Sequence, residues 1–329
     1  MPQQDLIRQI RQLCRKYTES GDPQLLSEIR DLRIVAGKAL ESPQESIAPI
    51  IDVPDLFSNC RDRLPEIEAD KLNKRALQSA VQHHGALIIR NLVSPEKSAE
   101  LRECLDQAFA AFTDSQTGSF ENTSEWLDIE IPDKRKILRM GAMSIMFKYG
   151  ALWTFLSPKT LERVIALFDD MKLKPVLRNY FGDRPCLSFN KSVIRRMEPL
   201  TVPSDWHQDG AFMTGQVKSL NCWIALNECG AGTDSPGMDF IPKRFNHVVE
   251  TGKNKARYDW TIAPDTVKEK FKETPAVRPR FGEGDAVFFD HLCLHSTSFD
   301  PAYTRRRYAI ETWFFSQQYA PENQKPAIW

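Results

Sequence analysis

Apolar residues recur at helical spacing at the start of the chain and at strand spacing towards its end. Leu6, Ile10, Leu13 and Tyr17 fall three or four positions apart and draw one apolar stripe over residues 1–20, the period of a helix with one buried face. Gly21-Asp22-Pro23 interrupts the pattern and residues 25–40 resume it, so a pair of helices is expected there. The proline-containing stretch 42–54 reads as a linker. A third helix is predicted over 70–84, with Leu72, Ala76, Leu77 and Ala80 inward and Gly85 as its stop. Residues 86–93, Ala-Leu-Ile-Ile-Arg-Asn-Leu-Val, read as a buried strand. Ser94-Pro95 then opens a helix carrying Leu101, Leu105, Ala108, Phe109 and Phe112.

A polar stretch from 113 gives way at 140–156 to a run rich in Met, Phe and Trp, expected to form a helix or an irregular wall. Residues 161–181 are helical in pattern, and Gly182-Asp183-Arg184-Pro185 ends them. Beyond that point short apolar runs alternate with Gly and Pro turns. Strands are predicted at 186–196, 219–226, 286–290 and 308–315. The order, helices first and then an antiparallel β core, makes the fold class α+β with a mainly β core, a sandwich or a barrel. The expected division is a helical N-terminal extension, 1–54, and one main domain, 55–329.

Composition narrows the function classes. The chain has 329 residues and is 41% hydrophobic, enough for one large core. Its 44 basic residues equal its 44 acidic ones, which removes any electrostatic reason to expect nucleic acid or an anionic membrane as a partner. There is no apolar run of membrane-spanning length and no signal-peptide pattern at the N-terminus. The seven cysteines are odd in number, scattered and free of CxxC pairs. They read as reduced thiols of a cytoplasmic protein. A small-molecule substrate is the expected partner, and the N-terminal helices would allow a homo-oligomer.

The chemistry concentrates in Trp206-His-Gln-Asp-Gly210. His207 and Asp209 are two apart, and in an extended chain both point to one face. One imidazole and one carboxylate can then meet a single ion. The third ligand is sought in residues 282–295, where a Gly-Glu-Gly-Asp turn leads into an apolar strand read as ending at His295. Two histidines and a carboxylate leave open positions on Fe(II) for a bidentate oxo-acid and O₂. The same three residues could host zinc with a water. His291 is a weaker candidate, because Leu292 stands where a two-histidine metalloprotease helix needs glutamate. His83, His84 and His247 read as local capping or surface residues.

A 2-oxoglutarate co-substrate would chelate the iron at one end and need a fixed cation for its far carboxylate. Arginine suits that task through its planar fork. Arg305, Arg306 and Arg307 open the strand of residues 308–315, and alternation lets only one or two of them point inward.

These residues resemble the phytanoyl-CoA dioxygenase (PhyH-like) branch of the Fe(II)/2-oxoglutarate-dependent oxygenases. The matching pieces are residues 83–90, Trp206-His-Gln-Asp-Gly210, residues 221–227, Ser235-Pro-Gly-Met-Asp-Phe-Ile-Pro242, residues 284–289, and His295 followed by Arg307-Tyr-Ala-Ile310. The likeness covers roughly residues 64–316. It implies a double-stranded β-helix, a jelly roll of cupin type flanked by helices. It implies His207, Asp209 and His295 as iron ligands and Arg307, or by spacing Arg306, as the anchor for the far carboxylate. Gln208 and Trp223 match positions that line the co-substrate pocket, though core packing explains Trp223 equally well. On the strand before the metal motif, Asn190 and Ser192 share one face and Lys191 and Arg195 the other, so one of the two sets faces the pocket. The chain departs from the family at residues 242–247, Pro-Lys-Arg-Phe-Asn-His, where Pro-Gly-Ser-His is common. That change bears on a substrate loop.

The resemblance implies an oxygenase that uses Fe(II), 2-oxoglutarate and O₂ to hydroxylate an unactivated C–H bond of a small organic metabolite, releasing succinate and CO₂. Natural-product intermediates and amino-acid derivatives are the expected substrate types. Desaturation or cyclisation would use the same centre. The carboxylate at 209 speaks against halogenation. A zinc-dependent hydrolase and a non-catalytic jelly-roll binding protein are the alternatives from other classes.

Overall fold

In the computed structural model, residues 3–38, 52–60, 62–116, 125–130 and 145–329 are described, with the side chain of Asn190 outside that description. The N-terminal pattern folds into two helices, α1 (Gln3–Ser20) and α2 (Gln24–Lys38). The predicted stripe is their contact. Leu6 and Ile10 are buried against Leu25, Ile29 and the near-terminal Ile328, with Leu13 and Tyr17 packed beside them. Arg30 and Arg33 tie α2 to the rest of the chain. Arg30 donates to the Asp128 carboxylate at 2.9 Å, and Arg33 pairs with Glu162 at 2.8 Å. Of the expected linker only residues 52–54 are described.

Strand β1 (Glu66–Glu68) precedes helix α3 (Lys74–His84). The helix begins later than the predicted position 70. Asn73 caps it by accepting the Ala76 N–H at 3.0 Å, so the chain before it is free to form a separate short turn. Gly85 ends it in a left-handed conformation, φ 83°, as predicted. Strand β2 (Ala86–Arg90) stops short of 93, because Asn91 is left-handed. Helix α4 (Pro95–Gln116) buries every apolar residue assigned to it. Strand β3 (Ala151–Trp153) occupies part of the expected wall, whose first residues, 140–144, lie outside the described ones. Trp153, Phe155 and Leu156 of that wall pack into the helical side of the core. The single helix predicted at 161–181 is two, α5 (Pro158–Asp170) and α6 (Leu173–Phe181), divided at left-handed Lys172.

The remaining strands are β4 (Pro185–Met197), β5 (Ser219–Ala225), β6 (Cys229–Gly230), β7 (Met238–Phe240), β8 (Arg280–Phe281), β9 (Ala286–Phe289), β10 (His295–Thr297), β11 (Arg307–Ser316) and β12 (Pro326–Ala327), with helix α7 (Pro264–Lys270) between β7 and β8. The main sheet runs β1-β2-β9-β5-β11-β4-β12, with β3 also on β4. Among the described residues only the β1–β2 pairing of this sheet is parallel. A short second sheet pairs β7 with β10, and a third pairs β6 with β8. The protein is thus mixed α/β with one large sheet.

Alternation gives the main sheet two unlike faces. Leu87, Ile89, Ile224, Phe288, Ile310 and Phe314 turn towards the helices and join Leu77, Leu105, Phe109, Phe168 and Leu177 in one core. Ile88, Trp223, Val287, Phe289, Ala309 and Trp313 turn the other way and meet Met238, Phe240 and Cys293, which the β7–β10 side supplies. Each fully buried aromatic or aliphatic side chain contributes about 1.5–3 kcal/mol to holding the layers together. Gly37 permits one close approach of α2 to β12: a Cβ there would stand 2.0 Å from the Pro326 carbonyl oxygen.

Candidate metal centre

The site is built across a seam. His207 and His295 form an isolated antiparallel bridge in which each N–H donates to the other's carbonyl, at 2.9 and 3.0 Å. Their rings lie 4.3 Å apart between centroids. His295 does not end the apolar strand. Strand β9 stops at Phe289, the chain turns over Asp290, which accepts the Leu292 and Cys293 N–H groups, and His295 opens β10 in the second sheet. Asp209 begins a short 3-10 turn, and the neighbouring Gly210 N–H donates to the His291 carbonyl at 2.8 Å. His207, Asp209 and His295 each place one donor atom within 4.8 Å of the others.

The donor atoms are oriented towards one another. Nδ1 of His295 lies 3.0 Å from the Cys293 carbonyl. A carbonyl only accepts, so Nδ1 carries the hydrogen and Nε2 is the ring atom that faces the other two residues. Burial, helped by the nearby His295, Lys191 and Arg195, holds the His207 imidazole well below the usual histidine range, hence neutral. Asp209 Oδ2 is buried and has no hydrogen-bond partner. A buried carboxylate oxygen with no hydrogen-bond partner beside two imidazoles costs free energy unless a cation meets it. The residues therefore fit a divalent metal.

A ring of charge surrounds the three. Lys191 Nζ stands 3.5 Å from Asp209 Oδ1 and 3.4 Å above the Phe212 ring. Burial lowers the pKa of this lysine. Arg195 pairs with Glu311 at 2.6 Å. Burial raises the Glu311 carboxyl, but Arg195 outweighs it and keeps the group below the usual carboxylate range.

Arg307 lies on the inner face of β11 and is 1% exposed. Its Nη1 donates to the Gly237 carbonyl at 2.8 Å, and its guanidinium sits 5.6 Å from the Trp223 ring. Its Nε has no partner, and among the described residues no carboxylate pairs with it. Burial pulls its pKa down to about 10, which leaves it cationic at neutral pH. A buried guanidinium with no carboxylate of the described residues beside it fits an anionic ligand. Arg306 points elsewhere. It is partly exposed and pairs with Glu198 at 2.5 Å, and Arg305 faces Asp234 at 3.5 Å beside it.

The other expected pocket residues separate. Trp223 is buried between the layers, edge-on to Phe281. Gln208 spends its whole amide on the main chain: Nε2 donates to the His247 and Leu292 carbonyls, and Oε1 accepts the Val249 N–H at 2.6 Å. Ser192 pairs across the sheet with Thr312, on the face opposite Lys191, and its hydroxyl donates to the Ser188 carbonyl. The Asn190 side chain lies outside the described residues. His291 hydrogen-bonds Ser219 through Nδ1 at 2.9 Å. His83 and His84 reach back to the Val53 carbonyl and the Asp55 carboxylate, 30 and 29 residues earlier in the chain, so neither is a local cap, and His84 is buried rather than on the surface. Sequence reasoning left Glu311 unnamed, although counting by two from Arg307 along β11 reaches it. It also missed Trp260, whose ring meets that of His207 edge-on at 5.5 Å. No spacing rule links those two positions.

A family model for phytanoyl-CoA dioxygenase (PhyH) matches residues 81–299, about two thirds of the chain. The chain belongs to the PhyH family. No curated protein matches it. Among solved structures it is similar to EctD from S. alaskensis, solved with 2-oxoglutarate and 5-hydroxyectoine, at 14% identity and TM-score 0.50, covering 86% of this chain and 87% of that one. It is also similar to the non-haem α-ketoglutarate-dependent carbocyclase SnoK from nogalamycin biosynthesis, at 16% identity and TM-score 0.48, covering 76% and 87%. A third similar structure is AviO1 from Streptomyces viridochromogenes Tue57, at 15% identity and TM-score 0.45, covering 78% and 99%. The first likeness concerns the fold alone. Family membership, together with the His-Asp-His triad, carries the cofactor set expected from the sequence: Fe(II), 2-oxoglutarate and O₂. Among the described residues no helix is long and apolar enough to cross a membrane.

Proposed function

We propose that this PhyH-family protein is a 2-oxoglutarate-dependent hydroxylase of a small organic metabolite, built on a jelly roll. In this reading His207, Asp209 and His295 hold the iron and Arg307 holds the far carboxylate of 2-oxoglutarate. The carrying observation is the pairing of two unmet demands: the unpartnered Oδ2 of Asp209 in the triad, and the buried, anion-free guanidinium of Arg307. The bound iron would supply oxidation of the substrate C–H bond, coupled to conversion of 2-oxoglutarate to succinate and CO₂.

The chain's own residues do the rest. The Cys293 carbonyl fixes the His295 tautomer and so aims Nε2. Trp223 lies beneath the Arg307 guanidinium and Gly237 holds one of its nitrogens, which restricts the fork to one orientation. Phe240 and Phe289 pack beside His295 and keep water from its back. Lys191 stands next to Asp209, where an ammonium would limit the net negative charge the site accumulates when the co-substrate arrives. The seven free cysteines suit a reducing compartment, and we place the protein in the cytoplasm on that ground.

Anaerobic addition of Fe(II) and 2-oxoglutarate should produce the visible charge-transfer band of the chelate. Air should then release succinate, and extracts should gain features heavier by one oxygen. Turnover with zinc and without 2-oxoglutarate would sink this reading.

A further inference from the structure

Beside His207 lies a group of aromatic rings that the iron and 2-oxoglutarate reading leaves without a task. Trp260 meets the His207 ring at 5.5 Å and the Phe212 ring at 5.5 Å, nearly perpendicular to both, at 86° and 84°. On Trp260 lies Tyr258, parallel within 5°, centroids 5.4 Å apart. Tyr149 lies close enough to Tyr258 to raise the pKa of its hydroxyl. Tyr149, Tyr258 and Trp260 are 49%, 42% and 39% exposed. Large aromatic rings normally contribute their area to a core, so rings left this open, one of them against a candidate metal ligand, call for an explanation.

The segment that carries them is fixed, and it is fixed to the metal motif. Asp205 accepts the Arg257 N–H at 2.5 Å and the Thr261 hydroxyl at 2.7 Å. Trp206 and Ile262 exchange both backbone hydrogen bonds. Gln208 clamps Val249. Three of the four residues 205–208 thus spend main-chain or side-chain groups on holding residues 249–262, and the fourth is His207 itself. Asn254 and Lys255 sit in left-handed backbone, φ 53° and 67°, which costs energy for non-glycine residues and persists because these anchors over-determine the loop.

We infer that Tyr258 and Trp260 form a stacking shelf that selects a substrate with a flat, unsaturated ring system and delivers it to the site next to His207. This rests on the iron-oxygenase reading and adds the substrate class to it. Two wall planes at right angles, Trp260 against Phe212 and His207, offer a planar ring one face to stack on and another to meet edge-on. Those are the two arrangements aromatic rings favour. A flexible saturated chain gains contact area in such a corner but neither of the oriented terms.

The test uses a matched pair of probes, 2-naphthol and decahydro-2-naphthol, which share carbon skeleton and hydroxyl and differ in flatness. Equilibrium dialysis is run anaerobically on the full-length protein, with and without Fe(II) and 2-oxoglutarate. The wild type should hold 2-naphthol about 3- to 10-fold tighter than its saturated partner. W260F should keep the preference. W260A and W260L should lose it, the second retaining apolar bulk so that a collapsed loop is not mistaken for a lost ring. Equal affinity for the two probes, or an undiminished preference in both W260A and W260L, overturns the proposal. The charge-transfer band of the metal-loaded protein is read in parallel. If it fails to form while the naphthol preference stands, the iron reading fails and the shelf survives. If it forms without the preference, the reverse holds.

Discussion

His207 and His295 are 88 residues apart in sequence and exchange both of their backbone hydrogen bonds, at 2.9 and 3.0 Å. This bridge, rather than either side chain's local setting, sets the imidazoles 4.3 Å apart. Asp209 then needs only the first residue of a short turn to join them. The candidate metal centre is therefore a product of strand pairing, and perturbing it should have separable effects on metal, co-substrate and fold.

Asp209→Ala removes the one carboxylate of the triad. Fe(II) affinity should fall by about 100-fold or more, since even supporting residues of metal sites are worth 10- to 100-fold. Succinate release should vanish with it. Anaerobic metal titration followed by equilibrium dialysis measures the first effect. Undiminished iron-dependent turnover in this variant would remove Asp209 from the ligand set.

Arg307 and Arg306 are adjacent and should behave oppositely. Arg307→Lys keeps charge but loses the fork, and 2-oxoglutarate should bind about 10-fold or more weakly. Arg306→Ala breaks a partly exposed pair with Glu198 and should change stability by about 1 kcal/mol or less, with co-substrate binding unaltered. The titrated charge-transfer band distinguishes them. A larger loss in R306A than in R307K would reverse the assignment.

Gln208 should prove a positioning residue. Its amide makes three hydrogen bonds that join the segment between His207 and Asp209 to His247, Val249 and Leu292. Gln208→Ala should cost about 2–3 kcal/mol of stability, and Gln208→Glu more, because a carboxylate would then face the two carbonyl oxygens that the amide nitrogen now serves. Chemical denaturation reads both. If Q208A were as stable as wild type but lost 2-oxoglutarate affinity, Gln208 would belong to the pocket lining.

Thiol accessibility offers a check on the fold that needs no activity. Cys14 and Cys60 are half-buried, while Cys104, Cys186, Cys222, Cys229 and Cys293 are buried. Burial raises the thiol pKa of Cys104 to about 11 and of Cys186 to about 12, which suppresses the reactive thiolate further. A thiol reagent should label two cysteines in the native protein and seven after unfolding. Cys60 should react before Cys14, whose pKa is also raised by burial and by Glu162.

The helices show how local signals are written. The stripe of Leu6, Ile10, Leu13 and Tyr17, the Gly85 stop and the Pro95 start were all legible, because periodicity and capping act within a few residues. The break at Lys172 and the late start at Asn73 were harder. Each depends on one residue's backbone or cap competing with an apolar pattern that continues past it. Strands β7 and β10 and helix α7 carry too few residues for any period to show.

By itself the sequence determined the helical first half, the strand-rich second half and the short list of residues able to carry chemistry, since residue type, spacing and alternation are properties of the chain. Only the tertiary structure decided among them. It put His295 at the start of a second sheet, because the turn over Asp290 redirects the chain after β9. Burial turned Arg307 inward and left Arg306 with Glu198. Cross-strand register brought Lys191, Arg195 and Glu311 to one face and left Ser192 on the other. Trp260 reached His207 through anchors at Asp205 and Gln208. Each of these is a pairing between distant segments, and the free energy that selects one pairing over its rivals is a property of the assembled core.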